Sequence, residues 1–252
     1  MFSLDLDCTQ ETRDLLIADF WELGSSGIVE LDATHLRVFF DDDSEASSIS
    51  EKLGAPAHVW ANIDWVAESR QNIEPMLVGE RFFLVPQWRD DPTPPGRLRI
   101  GINNGLAFGT GRHETTRLCL EFLEQLVRPG MTVIDIGTGS GILAQGALTL
   151  GAGTVIACDI DPLAVEVAVA AGLNAFTGSA PAIASGRADL LVANISPEAL
   201  RELLPEFLRL LKPGGRAILS GVEAQDQLPI SPIATRAEAE WRAHLIQKPS
   251  QT

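Results

Sequence analysis

Val133-Ile134-Asp135-Ile136-Gly137-Thr138-Gly139-Ser140-Gly141 decides how the chain is read. An apolar run of this kind is a buried parallel strand, and Ile142 to Leu148 after it reads as a helix. In an open α/β sheet the turn between two such elements lies where ligands bind, outside the carboxyl ends of the strands. Glycines there admit a ligand to the backbone and supply dihedrals that a Cβ forbids. The spacing is Gly-x-Gly-x-Gly, whereas a dinucleotide fingerprint has its third glycine one position later, at Ile142. Tight strand–helix packing recruits glycine as well, so the turn needs a second signal. Val155-Ile156-Ala157-Cys158-Asp159 supplies one, with its carboxylate 22 residues beyond Gly137, where such folds place the group that binds ribose hydroxyls. Asp161-Pro162 next to it has its own explanation, an N-cap followed by proline at the first helical position. Asp159 is thereby left for a ligand. The two strands point to an adenosine-containing cofactor, with Gly137, Gly139, Asp159 and Ile160 as candidate contacts.

The 252 residues allow one large domain or two smaller ones. No segment has the apolar length of a membrane span, and Met1 to Asp5 lacks the basic start and apolar core of a signal peptide. Cys8, Cys119 and Cys158 are scattered and form no CxxC, which reads as reduced thiols in a cytoplasmic protein. The net charge of −15 is unevenly spread: residues 1–60 carry three basic against thirteen acidic side chains. That segment repels a phosphate backbone, so no direct nucleic-acid partner is expected, whereas a basic protein is attracted to it. A solvated acidic face that serves solubility gives the same composition.

Residues 2–64 read as β-α-β-β-α-β, a small ferredoxin-like domain assigned to recognition. Phe2, Leu4 and Leu6 alternate with polar residues. Thr9 to Leu23 is an amphipathic helix with Leu16, Phe20 and Leu23 on its stripe, closed by Gly24. Ile28–Leu31 and Leu36–Phe40 form a hairpin, a second helix follows Asp41-Asp42-Asp43-Ser44, and His58–Ile63 is the fourth strand. Residues 65–95 read as a connector, with a helix over Trp65 to Glu74, a strand at Arg81–Val85, and Trp65 and Trp88 as packing anchors. From there to residue 252 strand and helix alternate, as a doubly wound sheet requires. A glycine- and threonine-rich loop, Leu106 to Thr116, at a helix start either offers donors to an anion such as a cofactor carboxylate or is a capped turn with Thr115 or Thr116 as its cap. His113-Glu114 suggests a zinc helix, but the second histidine position holds Arg117, so no metal is expected. Asp189 to Ala193 is a buried strand ending in Asn194, an amide that is either a cleft residue or a turn residue. Ser196-Pro197 opens the next helix, Lys212-Pro213-Gly214-Gly215 ends it, and Glu240 to Leu245 reads as an edge strand.

Asp-x-Gly-x-Gly-x-Gly, the ribose acid, Asn-Ile and Leu-Lys-Pro-Gly-Gly, in this order, resemble a Rossmann-like S-adenosylmethionine-dependent methyltransferase. Gly105 to Thr116 resembles the signature of the bacterial methyltransferases of ribosomal protein L-eleven, the PrmA type, and Trp65…Pro75…Val78-Gly79-Glu80-Arg81 with Pro86-Gln87-Trp88 is similar to that family's connector. The resemblance implies S-adenosylmethionine as cofactor and methylation of lysine and N-terminal amino groups on a basic ribosomal protein of the large subunit. It implies Thr116 at the methionine carboxylate, Gly137 against the cofactor, Asp159 at the ribose, and Asn194 beside the transferring methyl as the catalytic residue. The resemblance also implies that Phe108, Gly109, Thr110 and Gly111 close over the cofactor and that Ser179 is an adenine contact. The chain departs from the pattern in a short segment from Leu163 to Phe176 and in lacking the usual long helix after Gln227. Three other functions compete: methylation of a small molecule or RNA base, NAD-dependent oxidoreduction, and cofactor binding without activity. Asn-Ile in place of Asn-Pro-Pro disfavours a base, and Ile142 disfavours NAD.

Overall fold

The computed structural model describes residues 2–9, 12–32, 34–40, 57–59, 74–102 and 113–250, in two compact units, Met1–Asn72 and Ile73–Thr252. The first unit contains β1 (Phe2–Asp7), α1 (Arg13–Glu22), β2 (Gly27–Glu30), β3 (His35–Phe40) and β4 (Ala57–Val59), with antiparallel strands in the order β2-β3-β1-β4. Leu36, Val38 and Phe40 alternate on one face of β3, and Phe40 stacks on Phe2 at 4.9 Å and meets the edge of Phe20 at 6.5 Å. That aromatic set is the core of the unit. Helix α1 starts later than its apolar pattern predicts, because Thr9 and Thr12 exchange backbone-to-hydroxyl hydrogen bonds of 3.0 and 3.3 Å and form a turn of their own. Leu23 falls past the helix end and is exposed, against the expectation that it lies on the buried stripe. The expected helices after Asp43 and over Trp65 to Glu74 lie outside the described residues, apart from Glu74 itself.

The second unit begins with β5 (Met76–Val78), β6 (Phe82–Pro86) and β7 (Leu98–Ile102), a three-stranded sheet in that order. Here the connector reading is corrected. Phe82, Leu84 and Val85 are fully buried, and Phe82 and Leu84 join the core formed under α2 (Glu114–Leu126) and α3 (Ile142–Thr149). The Glu124 carboxylate accepts the Glu80 and Arg81 N–H groups at 3.1 Å and pins the β5–β6 turn to α2. Residues 74–95 belong to the second unit, with Trp88 packed on the same core as an anchor.

The main sheet comprises β8 (Thr132–Ile136), β9 (Thr154–Asp159), β10 (Ala175–Thr177), β11 (Ala188–Asn194), β12 (Leu211–Glu223), β13 (Ala234–Glu238) and β14 (Trp241–Gln247). Their order is β10-β9-β8-β11-β12-β14-β13, parallel through β12 and antiparallel for the last two. Neighbouring residues face opposite layers. Val133 and Val155 pack with α2 and α3, whereas Ile134 and Leu191 pack with Leu200, Phe207 and Leu210 of α5 (Pro197–Leu210). Two terminal expectations change. Trp241–Gln247 is interior, flanked by β12 and β13, so the edge is Ala234–Glu238. The Lys-Pro-Gly-Gly segment belongs to the extended β12; α5 has already ended, since the residue before a proline avoids the helical region and Pro213 brings no N–H to a helix ladder. The helix after Asp159, α4 (Pro162–Ala170), is short, and residues 224–233 contain no helix.

Candidate active site

The strand order reverses at β8, whose neighbours β9 and β11 lead away in opposite directions, and a crevice opens there beyond the strand ends. It encloses about 360 Å³. The glycine turn is folded back by two hydrogen bonds, Gly137 N–H and Thr138 N–H both donating to the Cys158 carbonyl at 2.9 and 3.0 Å. Gly137 has φ +72°, and a Cβ there would fall inside the Ile195 side chain. No other residue serves at this position without displacing Ile195 and accepting left-handed strain.

Asp159 is less free than the sequence implied. Its Oδ2 accepts the Gly139 N–H at 2.9 Å and its Oδ1 accepts the Asp161 N–H at 3.0 Å. A carboxylate has about four lone-pair positions, so both oxygens retain capacity for ligand hydroxyls. The Asp161 cap is as expected, its Oδ1 accepting from Leu163 N–H at 2.9 Å with Pro162 at the first helical position. Thr116, Gly137, Gly139, Asp159, Ile160, Ser179 and Asn194 all line the crevice. Phe108, Gly109, Thr110 and Gly111 lie outside the described residues. Ile160 is 79 % exposed, a large apolar side chain left at the mouth, where it offers a stacking surface.

Sequence reasoning missed part of the wall and one buried acid. Ile195, Ala199 and Leu203 complete the apolar side. The four-residue spacing of the last two, one turn apart on α5, was the available signal. Asp135 is completely buried beneath the turn, where its Oδ2 accepts the Thr138 hydroxyl at 2.7 Å and the Ala144 N–H at 3.1 Å. Its Oδ1 has no hydrogen-bond partner among the described residues, and burial pushes the carboxyl up to about 7. The cap of α2 is also corrected. His113, not Thr115 or Thr116, is the N-cap, its Nδ1 accepting from Thr115 N–H. Thr116 is thereby turned to the crevice, while Thr115 sits behind it and accepts a hydrogen bond from Asn194 Nδ2 at 3.1 Å.

A family model described as "Ribosomal protein L11 methyltransferase (PrmA)" matches residues 34–243. The chain belongs to the ribosomal protein L11 methyltransferase family. The L11 methyltransferase of Symbiobacterium thermophilum is 42% identical over 201 residues, 74% of this chain and 66% of the relative. That of Pelobacter propionicus is 40% identical, with 96% of each chain covered. That of Burkholderia vietnamiensis is 43% identical over 72% of this chain and 62% of its own. The chain thus spans just under two thirds of several of these relatives. Among solved structures, the ribosomal protein L11 methylase of Lactobacillus delbrueckii subsp. bulgaricus superposes with a TM-score of 0.62 at 30% identity, covering 70% of this chain and all of that one. Among the described residues no helix is long and apolar enough to cross a membrane.

Proposed function

We propose that the chain is an S-adenosylmethionine-dependent N-methyltransferase that acts on lysine and N-terminal amino groups of ribosomal protein L11. The observation that carries the reading is the meeting, in one crevice, of the Gly137 turn, the Asp159 carboxylate and the Asn194 amide. The crevice fits the cofactor: a Cβ-free cradle at Gly137, an acceptor for ribose hydroxyls at Asp159, an apolar flank at Ile160, and the Thr116 hydroxyl at the start of α2 for a carboxylate. When bound, S-adenosylmethionine supplies a methyl group already activated on a sulfonium. What remains for the protein is to present a neutral amine in line with it. A lysine amine, with an ordinary pKa of about 10.4, is mostly protonated at neutral pH. An apolar crevice favours its uncharged form by withholding water from the ammonium. Asn194 accepts an N–H from the amine without titrating, so it holds the nucleophile over the whole working pH range. Such positioning can be worth about 7–11 kcal/mol.

The excess of acidic side chains in residues 1–60 suits a basic ribosomal protein as the partner drawn to that segment. Three buried free thiols fit a reducing, cytoplasmic setting. The test is incubation of the purified chain with methyl-labelled S-adenosylmethionine and purified L11, followed by mass spectrometry of the product. Methyl groups on L11 amines are expected. Cofactor binding with label only on RNA, or on nothing, contradicts the proposal.

A further inference from the structure

Behind Asn194 lies a three-residue hydrogen-bonded chain whose direction can be worked out from its one unambiguous donor. The backbone N–H of Thr115 points at His113 Nδ1, 3.3 Å away. A backbone amide only donates, so Nδ1 is the bare nitrogen of that ring. The Thr115 hydroxyl oxygen is 2.8 Å from the same nitrogen and gives it its single hydrogen. Oγ1 is then left with lone pairs alone, and the Asn194 group 3.1 Å away has to be the amide nitrogen. Thr115 is buried, so bulk water does not compete for its hydroxyl. The imidazole is held in turn against the Trp241 ring, with centroids 4.7 Å apart and planes at 67°.

We propose that His113 and Thr115 are positioning residues that lock the Asn194 amide with its nitrogen turned inward and its oxygen offered to the crevice. This rests on the methyl-transfer reading for its chemical meaning. An amide oxygen accepts an N–H of the incoming amine and leaves the nitrogen lone pair free to attack. A reversed amide presents N–H donors instead, and these engage the lone pair that the reaction needs. Flipping costs nothing in shape, since the two arms of an amide are nearly equal in size. The orientation must therefore be imposed from behind, and only the relay through Thr115 does so among the described contacts of Asn194.

Two measurements test this on the full chain. The first is ¹⁵N NMR of the His113 ring, which needs no turnover: a bare Nδ1 with a protonated Nε2 is expected, and a proton on Nδ1 overturns the relay whether or not any amine is methylated. The second is kinetic. Thr115→Val keeps the shape and removes the hydroxyl; it should lower kcat by about a hundredfold, the size of effect that misplacing a reacting group has. Calorimetric affinity for S-adenosylhomocysteine should stay within about twofold, since Thr115 lies behind the crevice wall; the two together separate orientation of the amine from cofactor binding. Thr115→Ser, which restores the hydroxyl, should recover most of kcat, and His113→Asn, which keeps an acceptor and a good N-cap, should do better than His113→Phe. A Thr115→Val protein that folds, binds the cofactor product normally and turns over like wild type overturns the proposal.

Discussion

Asp135→Asn is the perturbation whose outcome is most tightly fixed by the structure. The Asp135 carboxyl is fully buried, and that burial, reinforced by the nearby charge of Asp159, pushes it from 3.8 up to about 7 even though Thr138 and Ala144 donate to it. In the unfolded chain the group ionises above about pH 4, but in the native state it keeps its proton to about pH 7. The unfolded state therefore binds fewer protons over that window, and stability falls as pH rises until both states are ionised. A difference of about three pH units amounts to about 4 kcal/mol in total, of which about 2–3 kcal/mol is lost between about pH 5 and pH 8. Asparagine has nearly the same volume, and its oxygen can accept from Thr138 and Ala144, but it does not titrate. It sets an NH₂ where Oδ1 has no partner among the described residues, a pH-independent cost of about 1–3 kcal/mol. The assay is denaturant unfolding of both proteins at several pH values. The stability difference between them should shift in favour of the variant by about 2–3 kcal/mol between about pH 5 and pH 8, with unchanged m. Parallel stability curves across that range refute the reasoning.

Three other outcomes follow from the structure. Gly137→Ala places a Cβ in the Ile195 side chain at φ +72° and adds left-handed strain of about 1–2 kcal/mol; calorimetry should find S-adenosylhomocysteine binding lost, and retention at wild-type affinity contradicts the cradle. Asp159→Ala should weaken cofactor binding, whereas Asn194→Ala should leave affinity nearly intact and lower single-turnover methyl transfer; the opposite pattern reverses their assigned roles. Cys119 and Cys158 are buried and their thiols pushed up to about 12, so at about pH 8 iodoacetamide should leave both untouched in the native protein and label them only on unfolding. Rapid native-state labelling of either contradicts their burial.

How much of this was legible in the chain depends on how local each cause is. The glycine turn, the Asp161 cap and Ser196 at the start of α5 were readable because each is set by the backbone within three or four residues. The α2 cap was misread since histidine is not among the preferred capping residues and two threonines stood beside it; His113 wins because its ring reaches the Thr115 N–H. The β5–β6 hairpin looked like connector because its membership rests on contacts with α2 more than forty residues later, Glu80 with Glu124 among them. Strand β13 left no apolar periodic trace, since the part-buried face of Ala234–Glu238 meets α2 through charged side chains, Arg236 with Glu121 and Glu238 with Arg117. Asp135 was visible as the acid of Asp-x-Gly-x-Gly-x-Gly but was given no role, since only three-dimensional burial reveals what that position does to a carboxyl group.

The most direct test of the account is a crystal structure with S-adenosylhomocysteine bound. The ribose hydroxyls should lie on the Asp159 carboxylate, the amino-acid arm against the Gly137 turn and Thr116, and the sulfur facing Asn194. A nucleoside seated on another surface, or a crevice closed by its own side chains with the ligand excluded, contradicts the assignment of methyl transfer to these residues.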